Sequence, residues 1–133
     1  MLDIDQSLEF EYTVRDADLA SSLSIDPADR FPGVFATSRM IALMELAAAR
    51  LMRGQLQDGE LSVGVGVNVK HTAATPGDEV VKVRATFRGM EGKFFRFTVE
   101  LFDGAGLAGG GEHTRAIIRL DRLLEGASKR ARR

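Results

Sequence analysis

Hydrophobic and polar residues alternate near the start of the chain, from Leu8 to Val14, as they do in a strand with one buried face. Residues 15–35 show no clear periodicity and contain Pro27 and Pro32. This composition is typical of an irregular segment, and we expect it to cover part of the molecule. The first strand is therefore followed by a long covering connection.

A long helix is predicted next, over about Thr37–Arg53. Its interior, Met40–Ala49, consists of strong helix formers almost throughout, and nine of these ten residues are apolar. Such a segment predicts a helix buried on every side. Glu45 is the exception, and Gly54 lies where the helix would stop.

The rest of the chain has the pattern of strands and turns. Residues Leu61–Lys70 alternate strictly, with valines on one face. Further strands are predicted over Val80–Phe87, Phe94–Phe102 and Glu112–Leu120, with a glycine-rich bend over Gly104–Gly111. A strand, a long helix and four strands in meander bury one another if the sheet curls round the helix. That α+β arrangement is the hotdog fold, and its open edge strands favour a homodimer.

Length and composition predict one domain over residues 1–125 of the 133, followed by a basic, disordered tail over residues 126–133. The absence of cysteine excludes disulfides and thiolate chemistry, and no metal site is expected. A net charge of −1 gives no field that would attract nucleic acid. No apolar stretch is long enough for a membrane span and no signal segment is evident, so we expect a cytoplasmic protein that does not engage membranes.

Glu45 is the most informative candidate for chemistry. A carboxylate in an apolar, buried helix lowers the folding stability by about 3–5 kcal/mol unless it is paired or hydrogen-bonded. One interpretation places Glu45 on a thin polar strip, where it reaches solvent or a backbone amide. The other places its carboxylate in an internal cavity, as a functional group.

Three further side chains have both a structural and a functional interpretation. Thr37 is either an N-cap or a hydroxyl facing a ligand, and it lies a little over two turns before Glu45. His71 ends the valine strand and is a candidate general base or acid because histidine titrates near neutral pH. His113 is the rival candidate, and periodicity does not choose between the two histidines.

Gly64 and Gly66 interrupt the valine strand. Glycines in a strand often permit a bulge or a close approach of a ligand to the backbone. A backbone amide there could stabilise a developing oxyanion.

Three segments carry a resemblance to a known family. They are Phe31–Thr37 with Met40–Glu45, then Val69–Pro76 with its run His-Thr-Ala-Ala-Thr-Pro, and the segment Gly111–Ile118. In this order they resemble the fluoroacetyl-CoA thioesterase family over roughly residues 8 to 122. The hexapeptide and the Thr-to-Glu spacing are its most specific elements. Leu46 departs from the family, which has a larger aromatic residue there, and residues 15–30 match poorly.

The resemblance implies a hotdog dimer that hydrolyses a short-chain, fluoroacetyl-like acyl-CoA to the free acid and coenzyme A. It implies no cofactor besides the coenzyme A of the substrate. The family's catalytic set falls on Thr37, Glu45 and His71. Its substrate-binding residues fall on Phe31, which closes the acyl pocket, on Gly64 and on Arg115.

The mechanism expected from these residues has Glu45 attacking the carbonyl or activating water, with Thr37 hydrogen-bonded to it and His71 moving protons. Coenzyme A is expected to cross the dimer interface, with Arg115, Lys70 and the basic tail available to its phosphates. Two alternatives stay open, a hotdog enoyl-CoA hydratase and a non-catalytic acyl-CoA binding module.

Overall fold

The computed structural model describes residues 2–132 and forms five strands and two α-helices. Met1 of the predicted domain and Arg133 of the predicted tail lie outside the described residues. The elements in chain order are β1 Ser7–Thr13, α1 Thr37–Leu51, β2 Glu60–His71, β3 Val80–Glu91, β4 Phe94–Asp103, β5 Gly106–Arg119 and α2 Leu120–Ala131. Short 3₁₀ turns occupy Asp16–Asp18, Ala20–Leu23 and Arg53–Gln55. The predicted strands and the long helix are confirmed within a few residues.

All five strands form one antiparallel sheet in the order β1-β3-β4-β5-β2. The predicted four-strand meander is correct for β3, β4 and β5 but wrong for β2. Instead of pairing with β3, β2 crosses over and pairs with β5, with Glu60 opposite Arg119 and His71 opposite Gly109. As a result β2 is an edge strand, and it exposes Val65 and Val67.

Helix α1 lies against the inner face of this sheet, chiefly on β3. Its buried side chains are Met40, Leu43, Met44, Ala47 and Ala48. They pack against inward-facing residues of β3 and β4, namely Val81, Val83, Ala85, Phe87, Phe97, Val99 and Leu101. Burial of this apolar surface is the main stabilisation of the fold, at roughly 1.5–3 kcal/mol for each large side chain.

The prediction that α1 is buried on every side is wrong for the single chain. Ala42 and Leu46 are exposed, because the sheet covers only one side of the helix. The uncovered side also carries Glu45, whose side chain is 43% exposed. An apolar helix face left open in this way agrees with the expectation of a partner subunit.

The predicted glycine bend over Gly104–Gly111 is also wrong, because β5 already begins at Gly106. Two of its glycines are required by close packing rather than by a turn. A Cβ on Gly109 would lie 2.5 Å from Met40 Sδ, and one on Gly111 would overlap the backbone of Asn68. The glycine run lets β5 pass close to α1 and β2.

Of the tail expected to be disordered, residues 126–131 belong to helix α2, which continues to Ala131. Leu123 and Leu124 are largely exposed on it. Within residues 2–132, no helix is long and apolar enough to cross a membrane.

Candidate active site

Thr37 and His71 form the first of two polar groups on this fold, the histidine pair. Thr37 is the first residue of α1 and His71 is the last residue of β2, and Thr37 Oγ1 lies 2.9 Å from His71 Nδ1. Ala36 occupies the N-cap position, so the N-cap interpretation of Thr37 is wrong. The hydroxyl engages the imidazole instead, at a cleft of about 370 Å³.

The second ring nitrogen of His71 is buried and has no hydrogen-bond partner among the described residues. Burial lowers the pKa of His71 from its ordinary value of 6.5. The imidazole is therefore neutral near pH 7, and one nitrogen is uncommitted. A neutral imidazole with a free nitrogen can accept a proton from a reacting group.

The loop that follows His71 is held in place by buried polar contacts. Thr75 is fully buried and donates a hydrogen bond of 2.8 Å to Asp103 Oδ2. Its carbonyl accepts a bond of 2.8 Å from the amide of Phe35, just before α1. The entry to α1 and the end of β2 are thus fixed to each other, which orients the histidine pair.

Glu45, Gly64, His113 and Arg115 form the second polar group, the carboxylate cluster. Arg115 Nη1 donates to Glu45 Oε2 at 3.1 Å, and the Arg115 side chain is only 8% exposed. Glu45 is 43% exposed and reaches solvent, as the polar-strip interpretation expects, and its carboxylate also neutralises a buried guanidinium. Burial lowers the pKa of Arg115, and the charge of Glu45 opposes that shift.

Gly64 allows the carboxylate to reach the sheet. A Cβ at this position would overlap Glu45 Oε2, so any larger residue would displace the carboxylate from its present place. The register between β2 and β5 shifts between Gly64 and Gly66, which is the bulge that the two glycines predict. The bulge and the carboxylate line a cleft of about 200 Å³.

The structure brings Thr37 to His71, and Glu45 to Gly64 and Arg115, but it does not join the two groups within one chain. Thr37 and Glu45 are eight residues apart on α1, a rise of roughly 12 Å. Gly64 and His71 are separated along β2 by roughly 23 Å. The expected hydrogen bond between Thr37 and Glu45 is therefore not formed in the single chain.

Two predicted substrate-binding residues need comment. Phe31 is 53% exposed on the segment before α1 and lines neither the cleft at His71 nor the cleft at Glu45. Arg115 is buried and bonded to Glu45 and to both the hydroxyl and the carbonyl of Ser62. It is consequently not free to hold the phosphates of coenzyme A. Lys70 is exposed.

Sequence reasoning missed a buried carboxylate in the covering segment. Asp18 is 1% exposed and accepts hydrogen bonds from Tyr12 Oη, the Arg15 amide and Arg39 Nε, at 2.6, 2.8 and 2.9 Å. These bonds outweigh its burial and lower the pKa of Asp18. In the sequence, the one indication of this site was Tyr12, whose hydroxyl lies in an alternating strand and needs a hydrogen-bond partner. The network fastens the covering segment to the first turn of α1, next to Thr37.

The described residues contain no group of three or more histidine, cysteine, aspartate or glutamate side chains able to hold a metal ion. What the fold does present is a hydroxyl–imidazole pair, an ionic carboxylate and a glycine bulge. Helix and curled sheet together place the protein in the class of hotdog-fold proteins.

Similarity to known proteins gives the family. Residues 14–121 match the model of the fluoroacetyl-CoA-specific thioesterases, and the chain belongs to that family. It is 45% identical over 93 residues to the fluoroacetyl-CoA thioesterase of Streptantibioticus cattleyicolor, which covers 70% of this chain and 67% of the relative.

Solved structures agree with this assignment. A structure of the fluoroacetyl-CoA thioesterase FlK matches with a TM-score of 0.90 and 34% identity, over 97% of each chain. A thioesterase superfamily member from Thermus thermophilus matches with a TM-score of 0.84 and 25% identity, over 99% of this chain and 94% of the other. The hotdog fold and the family predicted from sequence are confirmed.

Proposed function

We propose that this protein is an acyl-CoA thioesterase that hydrolyses a short-chain, fluoroacetyl-like acyl-CoA with Thr37, Glu45 and His71. Family membership supports thioester hydrolysis, and a relative has been solved in complex with fluoroacetate and CoA. The observation that carries the proposal is the bond of 2.9 Å between Thr37 and His71, with the second imidazole nitrogen left uncommitted.

In this mechanism the carboxylate of Glu45 either takes a proton from the water that attacks the thioester carbonyl or attacks that carbonyl itself, which forms an anhydride. The carbon–sulfur bond breaks as the tetrahedral intermediate collapses, and coenzyme A leaves as its thiolate. In the first route the proton of the attacking water passes through Glu45 and His71 to the thiolate. In the second route water hydrolyses the anhydride, which releases the Glu45 carboxylate, and His71 accepts a proton from that water and passes it to the thiolate. Thr37 holds the imidazole in one orientation, and a positioned acid or base contributes about 10²–10⁴-fold.

Within a single chain the histidine pair lies far from Glu45. The proposal therefore includes a homodimer in which each site uses both subunits. The exposed edge strand β2 supports it, since an unpaired edge with exposed valines invites pairing with a second copy. Antiparallel pairing of two β2 strands about an axis near Val67 and Asn68 brings Gly64 close to the partner's His71. Coenzyme A would cross this interface, near Lys70. The cytoplasmic location remains a prediction.

A thiol-release screen over a panel of acyl-CoA thioesters, fluoroacetyl-CoA included, tests the activity. We expect release of free coenzyme A from at least one short acyl chain. Loss of enoyl absorbance without thiol would instead identify a hydratase. Saturable coenzyme A binding without turnover would identify a binding module.

Mixing two inactive variants tests the shared site. Glu45→Gln and His71→Ala should each lose activity alone. In an equal mixture, half of the dimers are hybrids with one intact site of two, so about one quarter of wild-type activity should return. A mixture that stays inactive, although subunits demonstrably exchange, would show that each site belongs to one chain.

Single cysteines test the predicted dimer edge, because the natural chain has no cysteine. Val67→Cys and Asn68→Cys lie at the proposed axis, and one of them should form a disulfide-linked dimer on oxidation. Glu11→Cys, on the opposite edge strand β1, is the matched control and should stay monomeric on a denaturing gel. Cross-linking at Glu11 alone would refute the proposed edge.

A further inference from the structure

His113 is the buried histidine of the carboxylate cluster, and its side chain reaches two partners. The residue is 2% exposed, on β5. Its Nδ1 lies 2.8 Å from the carbonyl oxygen of Gly66, and its Nε2 lies 3.2 Å from Nη1 of Arg115. The ring also lies against Phe97, with centroids 6.4 Å apart.

These two partners fix the protonation of the ring. A carbonyl oxygen only accepts, so Nδ1 of His113 must carry the hydrogen. A guanidinium only donates, so Nε2 must present its lone pair to Arg115. The ring is therefore neutral in one tautomer, and both nitrogens are already in use. Burial, which lowers the pKa of His113, acts in the same direction.

Arg115 is held on three sides by these contacts. Its Nη1 lies between His113 and Glu45, its Nε donates to the Ser62 hydroxyl at 3.1 Å, and its Nη2 donates to the Ser62 carbonyl at 3.0 Å. Ser62 fixes one end of the guanidinium. At the other end, Nη1 is shared between His113 and the Glu45 carboxylate.

The bond to Gly66 acts on the bulge in β2. That bulge carries Gly64 against the Glu45 carboxylate, and Gly66 follows it directly. His113 therefore links the two structures that position Glu45, which are the Arg115 guanidinium and the glycine bulge.

We propose that His113 is a positioning residue of the hydrolytic site, which holds Arg115 and the Gly66 bulge so that Glu45 stays in its reactive place. The inference rests on the proposed thioesterase function. His113 transfers no proton in the reaction, and His71 is the histidine that does so. A core histidine chosen only for bulk would not need a donor and an acceptor aimed at two parts of one site.

Two amide variants separate the two bonds. In His113→Gln the side-chain oxygen can reach the place of Nε2 and accept from Arg115, while the bond to Gly66 is lost. In His113→Asn the amide nitrogen can replace Nδ1 and donate to Gly66, while Arg115 loses its acceptor. His113→Phe keeps the ring and loses both bonds.

We expect kcat to fall about tenfold or more in His113→Phe and His113→Asn, with KM changed much less, because a small displacement of a catalytic group is costly. His113→Gln should recover most of that loss. Thermal unfolding of all three variants is measured alongside. Equal kcat in the three variants and the wild type would overturn the inference, as would losses of kcat that only follow losses of stability.

Nitrogen NMR of the imidazole tests the geometry without any substrate. His113 should show one protonated nitrogen, Nδ1, in the wild type, and a ring protonated at Nε2 would overturn the inference. The two proposals fail differently. The thioesterase function fails if the wild type releases thiol from no acyl-CoA, whereas the role of His113 fails if an active wild type is matched by His113→Asn.

Discussion

The histidine pair and the carboxylate cluster differ in how completely their polar atoms are bonded. The histidine pair has one internal hydrogen bond and a buried nitrogen with no partner in the described part of the chain. In the carboxylate cluster, Arg115 bonds to Glu45, His113 and Ser62, and His113 uses both nitrogens. The free nitrogen of His71 suits proton transfer, whereas the saturated bonding of Arg115 and His113 suits holding the Glu45 carboxylate in place.

Among the variants that test this comparison, Glu45→Gln should reduce kcat most. The amide keeps the shape of the side chain but loses the charge that pairs with Arg115 and reacts with the thioester. We expect kcat to fall by about 10²-fold or more. Steady-state thiol release measures it. Glu112→Gln, an exposed neighbour on β5, is the matched control, and equal activity of both variants would remove Glu45 from the mechanism.

Gly64→Ala should have the next largest effect, because its Cβ would overlap the Glu45 carboxylate. The displaced carboxylate should reduce kcat by about 10- to 100-fold without unfolding the protein. Gly66→Ala meets only the Thr114 hydroxyl, at 3.1 Å, and should cost less. A crystal structure of Gly64→Ala in which Glu45 has not moved would contradict this explanation.

Thr37→Val removes the one hydrogen bond of the histidine pair while keeping the side-chain volume. We expect kcat to fall about 3- to 10-fold, the value of one neutral hydrogen bond. Thr37→Ser keeps the hydroxyl and should retain most of the activity. Equal losses in both variants would mean that the methyl group matters as much as the bond to His71, and full activity of Thr37→Val would show that the bond does not matter.

The smallest expected effect is the change of folding stability with pH. Burial lowers the pKa of both His71 and His113 below 6.5, so below that pH the unfolded chain binds more protons than the folded one. Stability should be constant just above pH 6.5 and fall as the pH drops beneath it. Asp18 and Asp103, whose pKa values lie below 3.8, add a loss only at lower pH.

Urea unfolding across this range measures the slope. His71→Ala and His113→Gln should each flatten it, because each removes one histidine that is neutral when folded. A slope that neither variant changes would show that other groups dominate the titration.

The sequence predicted the parts of the fold that depend on local patterns. Alternation identified β1 and β2, and composition identified α1. The prediction failed where packing between distant segments of the chain decides the local structure. The run Gly109–Gly111 has the composition of a turn, yet it lies in a strand because Met40 and β2 leave no room for side chains. The apolar composition of α1 suggested full burial, because a single sequence does not show whether the sheet or a second subunit would cover each apolar residue.

The site was predictable as a set of residues but not as a set of contacts. The resemblance named Thr37, Glu45 and His71 together, whereas the chain pairs Thr37 with His71 and Glu45 with Arg115. His113 shares a face of β5 with Arg115, two residues on, so strand periodicity could have grouped them. The spacing of positions 37 and 45 suggested a Thr37–Glu45 contact, which a rise of roughly 12 Å along α1 prevents.

The segment between β1 and α1 is tied down at its ends and only locally bonded in between. Asp18 secures one end, and the bridges of Leu19 to Phe35 and of Val34 to Pro76 secure the other. From Leu23 to Phe31 the side-chain hydrogen bonds stay within the segment or reach its Ser21 neighbour. Substitutions in this tip should therefore leave the placement of Thr37 untouched.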